Sequence, residues 1–199
     1  MHHTFQHLGD KQLIALLKSG SVGVLPTDTI YGLVCSAQSK KSVARLFTIK
    51  QREANPGTVL AGSLQQLIDL GIRGRYLKAV EYFWPNPLSV VIPCGEDLAY
   101  LHMGKHSLAV RIPDDTELRA LLKEIGPLMT TSANHPGQPT ARNFQEAFNY
   151  FGDAVDFYVD TGDMGERPPS TIIRVVDDAI EVLRQGAVNI DDAGRITHE

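Results

Sequence analysis

Two hydrophobic periods alternate along this chain, and that alternation restricts its fold more than any other feature. Short apolar runs read as buried strands: SVGVLP (21–26), TVLAG (58–62), LSVVIP (88–93) and SLAVRIP (107–113). PLMTTSAN (127–134) reads as a strand entering a polar turn, and VDFYVD (155–160), STIIRVV (170–176) and AIEVLRQG (179–186) as further strands. Around them, residues 10–19, 39–52, 63–70, 74–84, 114–126 and 143–152 place apolar side chains at helical spacing. Asp at 114 and 115 and Gly126 bracket one of these helices. Asn143 with Glu146 gives another a capping-box spacing. PTDTIYGL (26–33), GEDLAYLHMGKH (95–106) and GDMGERPPS (162–170) read as loops, the last as the one flexible loop. Interleaved strands and helices predict an α/β fold: a single-domain twisted mixed sheet flanked by helices. With no repeat and no shift in composition, 1–199 reads as one domain, its core about 10–186 and a short tail at 187–199.

Composition removes several function classes. The formal net charge is −4, whereas nucleic-acid coat proteins are usually basic, so direct nucleic-acid binding is expected to be weak or absent. Cys35 and Cys94 are too few for a disulfide framework or a zinc knuckle and read as reduced cytosolic thiols. The opening MHHTFQHLGD has no apolar run for a signal peptide, and no stretch reaches the length of a membrane span. The expected location is cytoplasmic.

The usual nucleotide and hydrolase signatures are missing: there is no P-loop, no GxGxxG after a strand, no HExxH and no GxSxG. His102 and His106 share one helical turn in a loop-like segment without a third ligand, so they read as surface histidines and no metal site is expected. Polar clusters at strand ends remain. Thr27, Thr29 and Tyr31 follow a strand, where α/β proteins bind ligands, although turn chemistry explains them equally. Lys50 and Arg52 end a helix and could grip phosphates or complement the helix dipole. Arg111 closes a buried strand behind Ser107 and needs a partner, either a carboxylate ligand or a structural acid. Thr130, Ser132, Asn134 and Thr140 surround a turn that offers donors and acceptors to phosphate or ribose, and Ser170 and Arg184 complete the set.

In this order, PTDTIYGL, KQR, SLAVRIP, TTSANHPGQPT, STII and LRQG resemble the YrdC-type threonylcarbamoyl-AMP synthases, from about Leu13 to Gly186. WPNPLSVVIP is similar to the family's WPGPLTLVLP. The resemblance implies a YrdC-like fold with a large basic cavity. It also implies conversion of L-threonine, bicarbonate and ATP, with Mg²⁺, to threonylcarbamoyl-AMP and pyrophosphate for tRNA modification, a nucleotidyltransferase reaction. By resemblance Thr29, Thr130, Arg111 and Ser170 hold threonine, with Thr27 and Tyr31 lining the same cavity. Lys50, Arg52, Ser107, Ser132, Asn134, Thr140 and Arg184 surround ATP, and Lys50 and Arg52 offset the charge of departing pyrophosphate. Partner proteins that transfer the threonylcarbamoyl group to tRNA are implied too.

Departures exist. The family pattern KxRPxxKP becomes Lys50-Gln51-Arg52-Glu53-Ala54-Asn55-Pro56-Gly57, so Glu53 stands for a proline and Pro56 for a lysine. A histidine that some members place at Ala61 is absent. A weakened paralogue that binds nucleotide or RNA without making the adenylate is the competing expectation.

Overall fold

The computed structural model describes residues 2–51, 55–177, 179–191 and 195–197. Its centre is a ten-stranded mixed sheet with the strands in the order β1-β8-β2-β3-β7-β4-β6-β5-β9-β10. These strands are β1 His3–Phe5, β2 Gly23–Pro26, β3 Tyr31–Ser36, β4 Thr58–Leu60, β5 Leu88–Pro93, β6 Ser107–Arg111, β7 Leu128–Ser132, β8 Phe157–Val159, β9 Thr171–Val176 and β10 Ala179–Arg184. Beside the sheet, β11 Asn189–Ile190 and β12 Ile196–Thr197 form a small antiparallel hairpin.

The helices are α1 Lys11–Lys18, α2 Lys40–Lys50, α3 Leu64–Leu70, α4 Gly74–Val80, α5 Ala99–His102, α6 Thr116–Ile125 and α7 Phe144–Phe151. Polar side chains start several of them, since the first backbone N–H groups of a helix need acceptors. Asp10, Ser39, Ser63, Asp115 and Asn143 each accept an N–H of the following turn. The capping box of α7 is shifted by one residue: Glu146 reaches back to the N–H of Arg142 at 2.8 Å rather than to that of Asn143.

Successive strand residues point to opposite faces, and both faces are buried. Val24, Leu33, Val59, Val110 and Met129 join the larger core. Their neighbours Leu25, Val34, Leu60 and Leu128 join a smaller core with Leu13 and Leu17 of α1 and Leu118, Leu121 and Leu122 of α6. By the same alternation, Gly32, Thr58, Ser89, Ala109, Arg111, Thr130 and Ile172 lie on the face of the smaller core. All but Ile172 are polar or small, so there the face holds a cavity instead of more apolar packing.

Two elements depart from the sequence reading. Tyr31–Ser36 is a strand, not the tail of a loop: YGLVCS is almost wholly buried between β2 and β7. The segment 95–106 is not plain loop, because Ala99–His102 forms a helical turn that packs Leu101 into the core. His3–Phe5, too short to stand out in sequence, pairs in parallel with β8.

Candidate functional site

A cavity of about 210 Å³ opens on this polar stretch of the sheet. Thr27 and Thr29 reach it from the β2–β3 turn, Thr130 and Ser132 from β7, Arg111 from β6, Ser170 from the start of β9 and Arg184 from the end of β10. Thr140 lines it and also the adjoining cavity of about 660 Å³, which Ile30 shares. Five elements thus deliver seven of the sequence-predicted residues, plus Thr140, to one place.

Close backbone approach makes this possible. A Cβ on Gly32 would sit 2.6 Å from Thr130 Oγ1, so glycine in β3 leaves room for the Thr130 side chain on the neighbouring strand. A Cβ on Gly186 would fall 2.2 Å from the Pro169 carbonyl oxygen and 2.6 Å from the Ser170 carbonyl carbon, so glycine lets the chain after β10 pack on Ser170. Thr171 fastens that contact, accepting from the N–H groups of Gly186 at 3.0 Å and Val188 at 3.2 Å.

Thr27 closes its own turn. Its hydroxyl donates to the Ile30 carbonyl at 2.7 Å and lies 3.1 Å from Thr29 Oγ1. Arg111 is buried, and its partner is a structural acid that the sequence reading left without a role. Asp28 Oδ1 lies 3.1 Å from Arg111 Nη2, with the two side chains only 2% and 4% exposed. Asp28 Oδ2 also accepts the Asp114 N–H at 3.0 Å, which ties the β2–β3 turn to the chain after β6. Burial pushes the Asp28 carboxyl above its ordinary pKa, against the lowering influence of Arg111. Burial likewise lowers Arg111, against Asp28. Arg111 Nε has no hydrogen-bond partner among the described residues. A buried N–H without a partner is costly, so this edge of the guanidinium is suited to an acceptor that enters the cavity.

The cation at the end of α2 is held elsewhere. Lys50 is 3% exposed, and its Nζ donates to the Ser132 carbonyl at 2.6 Å and to the Asn134 carbonyl and Oδ1 at 2.5 Å each, with Ser132 Oγ at 3.3 Å. Gln51 follows in the left-handed region, φ 55°, and ends the helix there. Lys50 therefore clasps the Ser132–Asn134 turn rather than lining the cavity, and Asn134 reaches on to the Gln138 carbonyl. Arg52 and Glu53 lie outside the described residues. Pro56 lines the cavity where the family pattern has lysine. The expected basic character is not evident: among the described lining residues the cations are Arg111, offset by Asp28, and Arg184.

Like Lys50 and Asn134, two further predicted residues are not in the lining. Ser107 sits at the far end of β6, its hydroxyl 3.4 Å from the Lys105 carbonyl. Tyr31 is fully buried, and its hydroxyl donates to the Gly162 carbonyl at 2.9 Å and accepts the Thr161 N–H at 3.2 Å. It anchors the loop that leads to Ser170. Tyr31→Phe is expected to cost about 1 kcal/mol, the net worth of a typical hydrogen bond. Faster hydrogen exchange at the Thr161 amide would check that the loss is local.

The histidine pair acquires a third side chain after all. Ligand atoms of Glu96, His102 and His106 lie within 4.8 Å of one another. Yet His102 is fully buried rather than on the surface, and its Nδ1 accepts the N–H groups of Gly104 at 3.1 Å and His106 at 3.2 Å. That fixes the neutral ring's proton on Nε2, where a metal would need a lone pair. The group is a structural histidine beside the Glu96–His106 pair, 2.9 Å apart. The two thiols are also poor nucleophiles, since burial raises Cys35 to about 12 and Cys94 to about 11.

Comparison with known proteins bears on this cavity. The Sua5_yciO_yrdC family model, described as telomere recombination, matches residues 15–186. Threonylcarbamoyl-AMP synthase of Idiomarina loihiensis is 32% identical over 82% of this chain and 91% of its own. That of Vibrio vulnificus is 33% identical over 88% of this chain and 97% of its own. Pyrococcus abyssi Sua5, solved in complex with L-threonine, superposes with a TM-score of 0.81 at 26% identity over 94% of this chain. This chain spans 58% of that protein's length. Escherichia coli YciO shares the fold, with a TM-score of 0.78 at 23% identity over 94% of this chain and 96% of its own.

Proposed function

The chain belongs to the Sua5/YciO/YrdC family, and from that premise we propose that its cavity joins L-threonine, bicarbonate and ATP into threonylcarbamoyl-AMP. The observation that supports this most directly is the buried Arg111 guanidinium, whose Nε–H has no partner among the described residues and lies beside a wall of hydroxyls. An amino acid presents a carboxylate that such a group pairs with, and a P. abyssi relative binds L-threonine.

In the proposed reaction the threonine nitrogen forms a bond to the carbon of bicarbonate and water is lost, giving a carbamate. A carbamate oxygen then attacks the α-phosphorus of ATP, and the bond to the bridging oxygen breaks as pyrophosphate departs. The product is an acyl adenylate, which makes the enzyme a nucleotidyltransferase. Most of the catalysis comes from positioning, because both steps gain from holding reactants in contact. Arg111 orients the carboxylate, and Thr29 and Thr130 the rest of the amino acid. Ser132, Thr140 and Arg184 face the nucleotide, Ser132 on the turn that Lys50 holds. Arg52, in the family pattern, offsets phosphate charge.

Mg²⁺ would arrive on the phosphates of ATP, whose charge it would offset, and no step runs through it. Transfer of the threonylcarbamoyl group to tRNA falls to partner proteins, in keeping with the net charge of −4. Among the described residues, no helix is long and apolar enough to cross a membrane.

The test is pyrophosphate release from Mg-ATP and bicarbonate, with and without L-threonine. Threonine-dependent release is the expected result. Binding of threonine and ATP without release would instead identify a non-catalytic paralogue.

A further inference from the structure

The hydroxyl of Ser170 has a neighbour that the reading above does not use. Ser89, on β5, is fully buried on the cavity face of the sheet, and its Oγ lies 3.0 Å from Ser170 Oγ. From the other side, Arg184 Nη2 donates to Ser170 Oγ at 3.2 Å, and Nε and Nη2 donate to the Ser170 carbonyl at 3.1 and 2.7 Å.

A hydroxyl has one proton and two lone pairs, and a guanidinium only donates. Arg184 therefore fills one lone pair of Ser170 Oγ. Two arrangements of the serine pair remain. If Ser170 donated to Ser89, the proton of Ser89 would have no acceptor in a fully buried position, because Ser170 is its one hydrogen-bond partner among the described residues. If Ser89 donates to Ser170, every group is satisfied but one: both lone pairs of Ser170 are occupied and its own proton points into the cavity it lines.

We propose that Ser89 is a positioning residue that makes Ser170 an obligatory hydrogen-bond donor. The ligand atom that Ser170 meets is then an acceptor, such as a carboxylate or hydroxyl oxygen, and not an ammonium group. This narrows what Ser170 recognises: it does not hold the charged amine of an amino acid, which leaves that group free for other partners or for the chemistry.

With L-threonine as its probe, this proposal rests on the proposed function. The experiment is calorimetric titration of L-threonine into wild type, Ser89→Ala, Ser170→Ala and the double variant, with ATP affinity and Tm measured on each. Ser89→Ala is expected to weaken threonine binding by about threefold to tenfold, the worth of one neutral hydrogen bond. ATP affinity is expected to stay within about twofold, and Ser89→Ala to add nothing in the Ser170→Ala background. Ser89→Thr and Ser89→Val share one shape and differ by the hydroxyl, so they carry the comparison if the alanine variant folds poorly. Thr is expected to retain affinity and Val to lose it. Unchanged threonine binding in Ser89→Ala, or an equal loss in both backgrounds, overturns the proposal and leaves the functional reading standing. A wild type that binds no threonine overturns both.

Discussion

Replacing Arg111 with alanine is expected to lower stability by about 3–5 kcal/mol at neutral pH, because it strands the buried carboxylate of Asp28. The size of this loss depends on pH, and its sign follows from burial. Burial already holds Asp28 above the ordinary carboxylate range, and Arg111 is the largest influence that lowers it. Without Arg111 the folded-state pKa rises further. A carboxyl whose folded pKa is raised favours the fold below its unfolded pKa, and that contribution is lost as pH rises through the folded value. The deficit of the variant is therefore largest at neutral and alkaline pH and shrinks as the pH falls toward the range where Asp28 is protonated. Urea unfolding at pH 7.5 and pH 5 would measure it. A deficit that does not change with pH would mean that the loss is packing rather than charge. Adding Asp28→Asn to Arg111→Ala removes the stranded charge and is expected to recover part of the stability. It is not expected to recover activity, which falls on the order of a hundredfold or more if Arg111 also orients the substrate carboxylate.

This pair illustrates what the sequence made legible and what it did not. That a strand arginine in SLAVRIP needs a partner follows from electrostatics alone, but the identity of the partner does not. Asp28 lies in another strand–turn segment, and only the sheet order brings the turn after β2 near the end of β6. The alternating and apolar runs of β5, β6 and β9 could be read directly because their faces differ or are wholly buried. β3 could not, because Tyr31 and Gly32 belong at once to a polar turn motif and to a strand. Helix starts were readable where a capping side chain stood, as at Asn143, yet Glu146 chose the N–H of Arg142, a detail fixed by local backbone geometry. Among the candidate residues, Thr29, Arg111, Thr130, Ser132, Ser170 and Arg184 converge because motif order along the chain tracks strand ends on one side of the sheet. Tyr31 and Ser107 fall outside the lining because period-two geometry and strand length, which a motif does not encode, carry them into the core and to the far end of β6.

Lys50 shows the largest gap between residue type and role, and its replacement gives the second large expected effect. A lysine at a helix end next to phosphate-binding motifs reads as a phosphate ligand. In the fold its ammonium has acceptors from Ser132 and Asn134 around it, so all three protons are engaged by the turn itself. Its charge would still favour a phosphate bound at that turn, but at second hand. Lys50→Ala is expected to cost about 2–4 kcal/mol, since charge-assisted hydrogen bonds contribute roughly 1.5–3 kcal/mol each and part of the turn can recruit water. Threonine binding is expected to hold, while KM for ATP rises by about tenfold or more as Ser132 and Asn134 lose their support. Lys50→Met, which keeps most of the aliphatic stem, is expected to fail in the same way, because the missing element is the donor and not the packing. A variant that loses ATP affinity at unchanged Tm would show the opposite arrangement, in which the lysine leaves the turn for the phosphates when nucleotide binds. An equal fall in stability and in ATP affinity shows the lysine to be the fastening of the nucleotide side of the site, and it makes the shape of the Ser132–Asn134 turn, rather than the number of cations around it, the feature that compensates for proline at position 56.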